Sequence, residues 1–240
     1  NVSMGNPWLE PEYTDSYELS YLLNQRETQL SGTVFFRKTQ NVISRFVTVR
    51  DDGVAESTYR NLNRSQSIGV EGLLTQALAS WWRLNLNASY FHTQVDGDNI
   101  APEASEGYSW AARGTSTWTI ARNLDIQLNG TYRSPQVTVG GTGFRFWQSG
   151  AGQGRTDEMY WFDIGMRLRV LDRRGTITLR VSDIFATQRF SSRTFGDNFT
   201  NNMVRTRESQ IVFVGFSYRI NEYRQRRDRR PDQDIAIDMD

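Results

Sequence analysis

Side chains along this chain alternate between apolar and polar, with a period of two residues, over nine separate stretches. Across 124–132, Leu124, Ile126, Leu128 and Tyr132 share one face of an extended strand, while Asp125, Gln127, Asn129, Thr131 and Arg133 share the other. The same dyad places Trp82, Leu84, Leu86, Ala88 and Tyr90 opposite Arg83, Asn85, Asn87 and Ser89. It also places Phe162, Ile164, Met166, Leu168 and Val170 opposite Asp163, Arg167 and Arg169. One face suits hydrocarbon and the other suits water, as in strands that cross a bilayer within a barrel.

The pattern predicts strands at about 13–24, 28–39, 55–77, 82–94, 105–121, 124–137, 158–171, 175–187 and 207–220. Connections at 25–27, 78–81, 122–123 and 172–174 are short, whereas those at 40–54, 95–104, 138–157 and 188–206 are long and polar. Short turns on one side and long loops on the other is the layout of an outer-membrane barrel, with the turns periplasmic and the loops extracellular. Trp81, Trp82 and Trp118 fall near the short turns, and Tyr108, Trp110, Tyr160 and Trp161 near the long loops, as two interfacial girdles require. The competing reading is a soluble β-sandwich, but many of these runs exceed the ~5–6 residues usual for globular strands.

Strand parity bears on completeness. If the C-terminus lies at the short-turn side, an odd number of crossings puts residues 1–12 at the long-loop side. Bacterial barrels normally have even counts, and open sheet edges are untenable in lipid. The expectation is therefore the C-terminal part of a larger barrel, 1–220, followed by a charged periplasmic tail, 221–240.

Composition narrows the class. Mean hydropathy is -0.60 and no run reaches the ~20 apolar residues of a spanning helix, so any crossing is by strands. Cysteine is absent, which removes disulfide and thiolate chemistry. A net charge of +1 offers no global attraction to nucleic acid. Only Lys38 among the 28 basic residues is lysine, a bias more in keeping with genome composition than with function.

Several segments together resemble a known family. Gly5-Asn6-Pro7-Trp8-Leu9-Glu10-Pro11-Glu12-Tyr13, then Ser16-Tyr17-Glu18-Leu19, is similar to the "GNP.L.PE...YELG" segment of TonB-dependent receptor barrels, with Ser20 where that pattern has glycine. Val34-Phe35-Phe36-Arg37-Lys38 with Ile43 resembles "FYRK...I", and Tyr59-Arg60-Asn61 with Ser67-Ile68-Gly69-Val70-Glu71 resembles "Y.N....S.GVE". Gly130-Thr131-Tyr132-Arg133-Ser134-Pro135 and Val181-Ser182-Asp183-Ile184-Phe185 follow "G.YRSP" and "VSDIFN", with Ala186 in place of the asparagine. Gly215-Phe216-Ser217-Tyr218-Arg219 resembles the terminal strand.

The resemblance, over about 5–220, implies an all-β transmembrane antiparallel barrel of about 22 strands in the outer membrane, of which nine are here. It implies a receptor whose plug fills the lumen, coupled through that plug to TonB, with a surface lipoprotein as a possible partner. A scaffold barrel in a larger envelope assembly is the alternative.

No enzyme signature, cofactor motif or complete metal set is present. His92 is the sole histidine, so no triad or two-histidine site forms, and it reads as a rim residue. Asp51, Asp52, Asp96 and Asp98 lack the spacing of a calcium loop, and the glycines of 140–143 and 150–154 lack the Gly-Lys-Ser/Thr of a phosphate cradle. The candidate ligand-binding residues are Arg113, Arg133, Asp163, Arg167 and Arg180, which the dyad turns inward together with Arg169. Charge on the lipid face at mid-membrane costs about 2–4 kcal/mol, which favours that direction. Their expected partners are the plug, a hydrated wall or an anionic ligand. In 222–240, six acids balance five arginines, unlike a nucleic-acid arm.

Overall fold

The computed structural model describes residues 2–97, 106–138, 153–196 and 199–220. In chain order the strands are β1 (Val2–Ser3), β2 (Tyr13–Asn24), β3 (Thr28–Val49), β4 (Ala55–Ala79), β5 (Trp82–Asp96), β6 (Glu106–Ala121) and β7 (Leu124–Arg133). They continue with β8 (Gln136–Thr138), β9 (Gln153–Thr156), β10 (Met159–Val170), β11 (Gly175–Val181), β12 (Arg189–Gly196), β13 (Phe199–Thr206) and β14 (Val212–Tyr218). Nine of them form one antiparallel meander in the order β14-β11-β10-β7-β6-β5-β4-β3-β2, and these correspond to the nine predicted crossings. β13, β12, β9 and β8 make a separate sheet at the long-loop end.

Register carries the dyad from strand to strand. Leu84 pairs with Ser116, Ser116 with Leu128, Leu128 with Ile164, Ile164 with Val181 and Val181 with Val212, so one row of one face is almost wholly apolar. One residue along, Thr117, Gln127, Gly165 and Arg180 line the opposite face. Among the described residues nothing covers the apolar face: Ile164 is 38% exposed and Ile126, Leu128 and Leu168 are all short of buried. A sandwich would bury these side chains under a second sheet. This is instead a single layer whose apolar side is turned outward.

Aromatic rings ring the apolar face at two levels. Trp110 stacks on Tyr132 with centroids 4.1 Å apart and Tyr90 on Tyr108 at 6.0 Å near the long-loop end, while Trp81 stacks on Trp82 at 6.0 Å beside a short turn. His92 lies 4.4 Å from Tyr108 in the same belt, a rim position. Between the belts Gly130 sits under Phe162, where an added Cβ would meet the ring at 2.7 Å. The glycine leaves room for an aromatic ring to lie across the strand.

β14 begins at Val212 rather than at 207, and three strands end elsewhere than the pattern predicts. Residues 40–49, expected as loop, continue β3 in unbroken register with β4 as far as Val49 opposite Ala55. Only Asn41, at φ 53°, interrupts the pairing, and asparagine tolerates that left-handed geometry. The turn proper is Arg50 to Val54, closed by Arg50 N–H to Val54 C=O at 3.0 Å and by Gly53 at φ 79°. β7 ends before Ser134 and Pro135, because proline donates no hydrogen bond to a ladder. β11 stops at Val181, ahead of Asp183 at φ 45° and Ala186 at φ 54°.

The long-loop end supplies the structure's small core. Val42, Phe46, Leu62 and Val95 are buried there, with Val137 of β8 packed against them, and β9 and β12 approach β3. Thus the predicted loops 138–157 and 188–206 contain an ordered sheet; 98–105 and 139–152 lie outside the described residues.

The segment before β2 is strapped across this hairpin by residues of the first three family-like motifs. Asn61 accepts from Glu10 N–H at 2.9 Å and donates to Glu10 C=O at 2.9 Å, imitating a backbone bridge. The Glu10 carboxylate accepts from Asn41 Nδ2 at 3.0 Å, that of Glu12 from Ile43 N–H at 3.0 Å, and Asn6 donates to Tyr59 C=O at 2.9 Å. Pro7 and Pro11 need no ladder partner in such a strap.

Two outcomes follow for the intact protein. Leu128→Arg should destabilise the membrane-inserted state by about 2–4 kcal/mol, whereas Gln127→Arg on the other face should cost under ~1 kcal/mol; folding titrations in lipid vesicles measure both. Asn61→Ala should release the strap, at ~1 kcal/mol per hydrogen bond lost, read as faster proteolysis within 2–12 with the barrel intact.

Candidate functional site

The polar face of the meander curves into a trough of about 830 Å³ between β4 and β11. Its walls come from alternate residues: Asn87 and Ser89 of β5, Arg113 and Thr117 of β6, Asp125, Gln127, Asn129 and Thr131 of β7, Trp161, Asp163 and Arg167 of β10, and Thr178 and Arg180 of β11. Glu71 of β4 adds a carboxylate. Strand pleat explains these polar members, since every second residue points to this side, while Ala112, Tyr132, Ile164, Met166 and Leu179, of the other parity, also border the trough.

Neutral side chains fix one another by hydrogen bonds across and along the strands. Thr115 Oγ1 donates to Asn129 Oδ1 at 2.9 Å, Gln127 Nε2 donates to the same oxygen at 3.0 Å, and Thr75 Oγ1 donates to Asn85 Oδ1 at 3.0 Å. Such pairs hold a polar wall in shape with few free rotamers.

The charges divide into engaged and unengaged groups. Arg169 binds Asp125 at 2.5 Å near the short-turn end, and Thr119 Oγ1 donates to the same carboxylate at 3.1 Å. Arg180 approaches Asp163 at 3.5 Å. Arg113 and Arg167 make no ion pair among the described residues. Cationic groups facing a concave, partly water-excluded wall attract anionic partners and hold planar carboxylates or phosphates by paired N–H donors. That makes Arg113 and Arg167, with Arg180 between their levels, the chemically available part of the trough.

Of the five sequence-predicted site residues, Arg113, Asp163, Arg167 and Arg180 line this one trough. Arg133 does not; it is buried at the long-loop end of β7, beside Ser134 and Pro135. Asp163 has a further partner that the dyad could not reveal: its Oδ1 accepts from Asp183 N–H at 2.9 Å. Pattern reading also passed over Glu71 and Trp161 as lining residues, although their parity with Ser89 and Thr131 was available.

Two of the four loop carboxylates, Asp52 and Asp96, are engaged locally. Asp52 pairs with Arg50 at 3.3 Å and accepts from Val54 N–H, and Asp96 pairs with Arg64 at 3.1 Å; Asp98 lies outside the described residues, as do the glycines of 140–143 and those at 150 and 152. Gly154 is a buried strand residue of β9, where an added Cβ would meet Arg193 C=O. No group of three metal-ligating side chains occurs among the described residues.

Known structures share this architecture. The chain aligns with a structure titled "Copper transporter OprC" at a TM-score of 0.63 and 14% identity, covering 89% of this chain and 33% of that one. It aligns with the ferric yersiniabactin uptake receptor FyuA of Yersinia pestis at 0.59 and 14%, covering 86% and 30%, and with the siderophore receptor PirA of Acinetobacter baumannii at 0.56 and 14%, covering 90% and 33%. At that identity the likeness is one of fold, and the chain spans about a third of the length of each. No curated protein sequence matches it. Residues 1–218, which hold the whole meander, the strap and the trough, match the family described as outer membrane protein beta-barrel, and the chain belongs to that family.

Proposed function

We propose that this chain forms the wall and outer loops of an energy-coupled outer-membrane receptor that imports a ligand through a plugged barrel. The observation that carries the reading is the arginine-lined trough on the inner face of a sheet whose outer face is bare hydrocarbon-compatible surface. A wall serving only as a scaffold needs a polar lumen, but gains nothing from guanidinium groups left without carboxylate partners. The solved structures that share the fold, a copper transporter, a ferric yersiniabactin uptake receptor and a siderophore receptor, favour the same reading.

In this reading the long-loop end is extracellular, and the sheet of β8, β9, β12 and β13 contributes to the outer binding surface. Residues 1–220 are barrel and 221–240 a periplasmic tail; the tail lies outside the described residues. Among the described residues β2 and β14 each pair on one side only. Backbone groups left open in hydrocarbon cost several kcal/mol each, so further strands complete the cylinder. The plug sits against the trough, and TonB acts through the plug. Ligand binds from outside, the plug rearranges, and the chain itself performs no covalent step.

The test is uptake by cells carrying the intact protein. Import should cease when TonB is removed, with binding at the surface retained; import that continues without TonB would overturn the energy-coupled reading, and cells that neither bind nor import a ligand through the protein would leave the scaffold reading. Arg113→Gln with Arg167→Gln should weaken ligand or plug retention roughly tenfold or more, as expected for loss of charge-assisted hydrogen bonds. Equal retention in the double variant would remove the trough from the mechanism.

A further inference from the structure

One carboxylate holds both feet of the hairpin formed by β12 and β13. Asp183 follows β11 and is 1% exposed. Its Oδ2 accepts from Gln188 N–H at 2.9 Å, immediately before β12, and from Ser209 Oγ at 2.6 Å, shortly after β13. Its Oδ1 accepts from Thr187 N–H at 3.0 Å, while the Thr187 hydroxyl bridges to Tyr160 C=O at 2.7 Å. The turn is closed by Ala186 N–H to Asp183 C=O at 2.8 Å and pinned to β10 by Ile184 N–H to Phe162 C=O at 2.8 Å.

This staple is joined to the trough through Asp163. Asp163 Oδ1 accepts from Asp183 N–H at 2.9 Å, and its Oδ2 faces Arg180 at 3.5 Å. The Arg180 side chain is 59% exposed to the trough, whereas that of Asp163 is only 16% exposed. The two carboxylates are thus linked through the Asp183 backbone N–H, and Arg180 is the cation paired with Asp163.

We propose that Arg180, Asp163 and Asp183 form a coupling device through which an anionic group in the trough loosens the β12–β13 hairpin. An anion that draws Arg180 away leaves Asp163 and Asp183 as neighbouring, poorly solvated negative charges. Like charges in such surroundings repel strongly, and the weakest member to yield is the Asp183 turn, which already holds left-handed backbone at Asp183 and Ala186. Release of Asp183 frees Gln188 and Ser209 together, so both ends of the hairpin lose their anchor at once. The two states are a stapled and an unstapled turn, and the trough biases them by contacting Arg180 alone. The inference stands on the geometry of this wall, whatever the receptor imports.

Hydrogen exchange of β12 and β13 in the intact protein, purified from outer membranes, tests it. Arg180→Gln should speed exchange in both strands by ~5-fold or more, the low end of ordinary coupling between sites. Asp163→Asn keeps an oxygen acceptor for Asp183 N–H but removes one of the two charges, so adding Arg180→Gln to it should change exchange less than twofold. Asp183→Asn should open the hairpin whatever stands at 180; if that variant fails to assemble, the other three proteins still decide. Unchanged exchange in Arg180→Gln, or an equal effect with and without Asp163→Asn, would overturn the proposal.

Discussion

A polypeptide in hydrocarbon must satisfy every backbone N–H and C=O within itself, and the rest of this structure depends on that constraint. The meander meets it with ladder after ladder, from β2 to β14, each strand bonded to the next of the nine. Once the backbone is committed to extended ladders, the pleat leaves no freedom in where side chains go: odd and even positions part to opposite sides. An apolar exterior and a polar trough are then the same fact seen from two faces. The familiar soluble core is correspondingly absent from the wall, and burial concentrates where the hairpin of β3 and β4 rises beyond the aromatic belt and meets the smaller sheet.

This division explains why the wall was legible in the sequence while its upper end was not. Leu128 and Gln127 declare their faces by parity alone, because the environment on each side is uniform along the strand. At the long-loop end both faces of β3 become partly covered, so Val42, Ser44 and Phe46 are buried beside polar neighbours and the signal no longer separates two solvents. The run 40–49 then looks like loop, although its valines and phenylalanine favour strand. β9, β12 and β13 were hidden for the same reason. Their pairing is decided by contact with one another, which period-two reasoning does not address.

The candidate site shows a parallel split. Parity brought Arg113, Asp163, Arg167 and Arg180 to one surface correctly, since direction is all that strand geometry has to supply. It could not tell which charges would find partners, because that depends on offsets between strands: Arg169 reaches Asp125 across the β7–β10 pair, while Arg167, directly opposite Asp125, does not. Nor could it anticipate that Arg133 is enclosed at the upper end of its strand.

Some of the motifs that carried the resemblance, such as Val34–Lys38 and Gly215–Tyr218, lie in the regular wall, but others mark departures from regular pairing. The Glu10, Glu12 and Asn61 side chains are consumed in strapping a non-strand segment over Asn41, where β3 makes its one left-handed step. Gly130 sits where an aromatic ring must lie flat across a strand, and Asp183 where a strand ends early and a turn needs three donors gathered. A regular strand position in lipid tolerates many apolar residues, so nothing singles it out in sequence. A position that must replace missing ladder bonds with side-chain ones tolerates few, and it is there that specific residue types are demanded. Asp163 belongs to both classes at once, lying on the regular polar face yet supplying the acceptor that the broken strand beyond Val181 lacks, and that double duty places the trough and the outer hairpin in one network.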